Sequence, residues 1–131
     1  MRSEFHVIQD INQPELIRIS KSKKDLRLHV RVFTFNDGKH EIGLIPSLSL
    51  SSYGNDRESM VLMLQETLDD YLDKLLELKI ELIEADLSAH GWKKQQFHSK
   101  NFDGPYIDKA GILREFELPE NTVMEEQMIT A

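Results

Sequence analysis

"EIGLIPSLSLSSYGNDRESMVLMLQETLDDYL", residues 41–72, decides how the chain is read. It passes from a strand-like segment through Pro46, an alternation of serine and leucine, and Tyr53-Gly54 into a segment of helical period. Ser47, Ser49 and Ser51 alternate with Leu48 and Leu50, the two-residue period of a strand with one face turned inward. Met60, Leu64, Leu68, Tyr71, Leu75 and Leu78 then recur at steps of three and four, which gathers them on one helix face. Gly54 closes the strand region, and Asn55 or Asp56 can cap the helix by accepting from its free N–H groups. No glycine or proline occurs from Asn55 to His90, so one long helix and two helices with a break near Lys79 both stay open. Gly91 reads as the C-terminal cap.

Upstream, "LRLHVRVFTF" (26–35) sets Leu26, Leu28, Val30 and Val32 on one face and Arg27, His29 and Arg31 on the other, as in a half-buried strand. Asn36, Asp37 and Gly38 supply residues for a tight hairpin back into "EIGLIP" and "SLSLSS". "ELIRIS", joined through "KSKKD", is expected as a third antiparallel strand, and "FHVIQDI" as a fourth. Downstream, "WKKQQF" reads as a strand anchored by Trp92 and Phe97, and "ILREFEL" as a short strand among loops punctuated by Gly104-Pro105, Gly111 and Pro119. The expected fold is α+β: an antiparallel sheet of three to four strands packed by one long or two consecutive helices, in the order β-β-β-α-β. Residues 1–98 form the domain, and 99–131 a C-terminal extension of short strands or loops with no separate DNA-binding domain.

At 131 residues, 40% apolar and 30% charged, the chain suits one domain with a real core. It has no cysteine, which excludes disulfides and thiolate metal sites. No long apolar run or leader pattern stands out, so no membrane span is expected and the expected location is the cytoplasm. The net charge of −7 is uneven: residues 1–53 carry eight Lys/Arg against six Asp/Glu, residues 54–90 three against ten, and residues 91–131 five against seven. The acids of the middle segment include Glu66, Asp70, Asp73 and Glu77, which recur at helical spacing as a ridge away from the leucines. Such a surface attracts cationic partners and repels nucleic acid. It also serves simply to keep a helix solvated.

The chain offers little for catalysis. His6, His29, His40, His90 and His98 fall in no metal-ligand spacing, and no G-x-S-x-G elbow surrounds the serines. The acids lie on the helix while the exposed face of the best strand is basic, so a carboxylate quartet for two metals is not expected, nor is a cofactor. Lys21, Lys23, Lys24, Arg27 and Arg31 could touch nucleic acid, but read better as protection of a sheet edge.

"GLIPSLSLSSYGNDRESMVLMLQETLDDYLDKL" resembles the core of HicB-like antitoxins over residues 26–78. The matching positions are Pro46, Leu48, Gly54, Asp56, Leu64 and Leu68, with Tyr71 and Leu72 toward the helix end. Met60 and Val61 depart from the pattern, since family members commonly carry a small residue there. The resemblance implies a partial RNase H-like fold without catalytic carboxylates. It also implies binding to a small basic RNA-cleaving toxin of the HicA type. On this reading the chain is no enzyme, Glu66, Asp70, Asp73 and Glu77 are its partner contacts, and it self-associates, as a dimer. A second reading is an orphan homologue serving as a structural or regulatory homo-oligomeric interaction protein. A third is a hydrolase using His29 or His90.

Overall fold

The computed structural model describes residues 6–8, 13–20, 25–98, 100–119 and 122–130. In chain order the elements are β1 (His6–Ile8), β2 (Leu16–Ser20), β3 (Asp25–Asn36), β4 (Glu41–Ile45), a single 3-10 turn (Pro46–Leu48), β5 (Leu50–Gly54), α1 (Arg57–Glu77), α2 (Ile80–Ala89), β6 (Lys93–Lys94), β7 (Asn101–Asp103), α3 (Lys109–Glu115) and β8 (Glu125–Thr130). The protein is thus α+β, and among the described residues its eight strands pair antiparallel in one sheet. The sheet is larger than the three to four strands expected from sequence.

β3 organises the sheet because its length lets it hold two partners on one edge. His29 pairs with both Leu16 and Thr130, and Phe33 with both Leu44 and Glu126. β2 and β4 therefore share one edge, along the first and second halves of β3, while β8 takes the other. Between His29 and Phe33 the two partners diverge into a fork. β2 continues outward to β7 and β6, β4 to β5, and β8 to β1.

The alternation of β3 separates two apolar layers. Leu26, Leu28, Val30 and Val32 join Leu64, Leu68, Leu72 and Leu75 of α1 and Ile83 and Leu87 of α2 in the main core. Phe33 and Phe35 point to the opposite face, where Ile42, Leu44 and Ile112 of α3 complete a smaller core. The sequence pattern is amphipathic up to Arg31 and then buried without interruption from Val32 to Phe35, because only the second half of the strand is covered on both faces.

The 36–38 hairpin forms as expected: Gly38 has φ +99°, and Asn36 Oδ1 accepts from its N–H at 2.7 Å. The long helical segment is two helices, broken where Leu78 and Lys79 turn extended. Leu78 there packs against the main core, as do Ile83 and Leu87 of α2 within it. Gly91, at φ +91°, follows the end of α2.

Three local expectations are overturned. "ILREFEL" is helical from Ile112 to Glu115, because Asp108 accepts from Gly111 N–H and starts α3 upstream of it. "SLSLSS" is not one strand, since Pro46–Leu48 forms the 3-10 turn and Ser49 takes a left-handed conformation, φ 53°. In "WKKQQF" only Lys93 and Lys94 pair; Trp92 is a buried anchor, whereas Phe97 is 87% exposed. Of "FHVIQDI", residues 6–8 pair with β8, and the rest lies outside the described residues, as does most of the "KSKKD" turn. Residues 99–131 supply β7, α3 and β8, and so build into the same sheet.

Candidate partner-binding surface

The junction that opens the sequence reading is an architectural corner. β4 ends at Ile45, Pro46 opens the 3-10 turn, and Leu48 drops into the main core. At Gly54 a side chain would lie 2.6 Å from the backbone nitrogen of Met60, so only glycine lets the end of β5 pass this close to α1. Ser52 Oγ donates to Met60 O at 3.0 Å from the same strand. Asp56 Oδ1 accepts from Ser59 N–H at 2.8 Å, and that bond holds the Asp56 carboxyl below its ordinary value.

α1 buries Met60, Leu64, Leu68, Leu72 and Leu75. At about 100° per residue, Leu62, Glu66, Asp70, Asp73 and Glu77 fall on the opposite side of the helix. Glu66, Asp70 and Glu77 are exposed, and Asp73 is half-buried with interactions of its own. The ridge anticipated from sequence is therefore the outward face of α1. Leu62, 56% exposed, and Met63 interrupt the carboxylates near its start. Carboxylates and two exposed apolar side chains thus share this face of α1.

α1 and α2 are fastened across their break. Tyr71 Oη donates to Asp86 Oδ2 at 2.5 Å, and burial, followed by this carboxylate, pushes the Tyr71 phenol above its ordinary value. His90 Nδ1 lies 2.9 Å from Asp86 O, with its ring edge-on to Tyr71. His29 stands on β3 between Leu16 and Thr130.

The fork in the sheet holds a charged cluster that the sequence did not announce. Glu15, 3% exposed, accepts from Ser47 Oγ at 2.5 Å and lies 3.5 Å from Arg31. Arg31 also donates to Gln13 O and reaches Glu126 at 3.3 Å, and Lys109 of α3 pairs with the same Glu126. Trp92 Nε1 donates to Ser47 O at 2.7 Å. Burial pushes the Glu15 carboxyl up, against the opposing effects of Ser47 and Arg31. Arg31, read from sequence as edge protection, is thus a half-buried side chain at the mouth of the fork, with β8 covering the other edge of β3 at this point. The only possible signal was a lone acid before an apolar alternation, which does not distinguish burial from exposure.

A cavity of about 340 Å3 beside the junction brings Ser47 and His90 into one lining with Asp108 and Glu115. Ser47 Oγ donates to Glu15 and His90 Nδ1 lies against Asp86 O, and among the described residues no hydrogen bond joins Ser47 to His90. Among the described residues no three histidine or acidic side chains converge as metal ligands, and no helix is long and apolar enough to cross a membrane.

Comparison of the chain with family models, curated proteins and solved structures gives no match.

Proposed function

We propose that the chain is a non-catalytic protein-binding domain that neutralises a small basic RNA-cleaving protein, in the manner of HicB-like antitoxins. One observation carries the reading: the outward face of α1 presents Glu66, Asp70 and Glu77 together with Leu62 and Met63, directly opposite the stripe that anchors the helix. Carboxylates steer a cationic partner and set its orientation, while the apolar pair supplies contact area that water disfavours. The reading draws on a run of antiparallel strands, β2 to β5, that leads directly into α1. Pro46, Leu48, Gly54 and Asp56, the positions on which the resemblance rests, together form the corner between β4, β5 and α1. The domain works as a homodimer in the cytoplasm.

The test is co-purification from the native operon with a tag on this chain, followed by mass spectrometry and by growth assay of what co-elutes. A small basic protein that is toxic alone, and whose binding weakens in Glu66→Lys/Asp70→Lys, is the expected result. Binding that is indifferent to these reversals and to salt removes the ridge from the interface. Recovery of this chain alone, as a homo-oligomer, replaces the reading with that of an orphan interaction protein.

A further inference from the structure

We propose that the open face of β2 and β3 binds a small oxyanion, of which phosphate is the type, between Arg18 and Arg27. The two arginines are direct cross-strand partners, so their side chains leave the same face of the sheet side by side. Like charges set opposite each other in a ladder are destabilising, and the register allows neither to slip away without turning Ile17, Ile19, Leu26 and Leu28 out of the main core. A sheet retains such a pair most readily when an anion joins it.

The surroundings have the composition of an anion site. Arg18, Ser20, Asp25, Arg27 and Lys100 line a cavity of about 220 Å3. That is below the roughly 300 Å3 at which pockets for drug-sized ligands begin, and so suits an ion or a single phosphate group. Three cations face one carboxylate there. Asp25 stands 3.7 Å from Arg27, and among the described residues neither Arg18 nor Lys100 makes an ion pair. Ser20 Oγ is shielded from solvent and, among the described residues, has no hydrogen-bond partner, which leaves a donor on the cavity wall. Lys100 is fixed beside β2 by its own carbonyl, which accepts from Ile19 N–H at 2.9 Å. Planar guanidinium forks on two sides and a hydroxyl on a third match a tetrahedral oxyanion better than a halide.

The site lies on the opposite face of the sheet from α1, so it stands or falls separately from the proposed partner interface. The experiment is an amide NMR titration of the full chain with sodium phosphate, with ionic strength held constant by sodium chloride. Thermal melts are recorded in the same buffers. Saturable shifts at millimolar phosphate, centred on Arg18, Ser20, Arg27 and Lys100, are expected, with a melting temperature that rises with phosphate. Arg18→Gln and Arg27→Gln each weaken binding about tenfold. Because each substitution relieves the like-charge contact, the variants melt no lower than the parent in chloride alone, which separates lost binding from lost folding. A nucleoside monophosphate titrated in parallel identifies the source: tighter binding than phosphate means that the group arrives on a larger molecule, equal binding that the free ion suffices. Absence of saturable shifts, or shifts that persist in the Arg18→Gln/Arg27→Gln double variant, overturns the proposal.

Discussion

Ser47 and Glu15, 32 residues apart in the chain, are joined by a 2.5 Å hydrogen bond at the point where two strands part from a common edge. The serine comes from the 3-10 turn after β4 and the acid from the residue before β2, so this bond closes the fork that β3 opens.

Glu15 makes stability depend on pH in an unusual direction. Its folded-state value is raised above 4.5, mainly by burial, so the folded chain holds this proton over a pH range in which the unfolded chain has released it. Stability contributed by the group is therefore full below 4.5 and falls as pH rises through the folded value. Urea midpoints taken from pH 4.5 to neutrality should decline in the parent and flatten in Glu15→Gln. Glu15→Ala, which strands Ser47 and part of Arg31, should cost about 2–3 kcal/mol.

Trp92 carries the other half of the same corner. Trp92→Phe keeps an aromatic ring in the core but leaves Ser47 O without its 2.7 Å donor. A loss of about 1–3 kcal/mol by denaturant unfolding is expected, with near-native secondary structure by circular dichroism.

Two glycines should respond differently to the same added methyl. At Gly54 the new carbon meets the Met60 backbone nitrogen at 2.6 Å, and neither side can yield without moving α1. At Gly43 it meets the flexible end of the Met60 side chain. Gly54→Ala should lose more than about 2 kcal/mol and Gly43→Ala about 1 kcal/mol, read as shifts in urea midpoint.

Asp56 supplies an effect of opposite sign to that of Glu15. Its carboxyl is held below 3.8 by Ser59 N–H, so its stabilisation is present above 3.8 and lost as pH falls through the folded value. Asp56→Ala should melt below the parent at neutral pH, and the gap should close in acid. Asp56→Asn, which can still cap, should lose less.

Legibility followed locality. β3, the 36–38 hairpin, the Asp56 cap and the leucine stripe of α1 could be read because each rests on period or turn chemistry within a few residues. The break at Leu78–Lys79 stayed open because packing of Leu78 against the main core, not a breaker residue, accompanies it. Ile112–Leu118 misled because short apolar alternation does not exclude a helix once Asp108 has capped one. β8 escaped notice because Glu125–Thr130 has no alternation of its own; it is a strand because β3 and β1 lie on either side. The ridge of α1 was visible as a spacing of acids, while the arginine pair needed the register of β2 against β3.

β8 completes the sheet from between β1 and β3, both of which leave the ribosome long before it. Until residues 125–130 are synthesised, the edge of β3 from His29 to Thr34 lacks the partner that covers it in the finished fold. An open edge over an apolar strand is a template for a second chain. A chain whose synthesis stalls between α2 and β8 therefore exposes this edge to pairing with another chain.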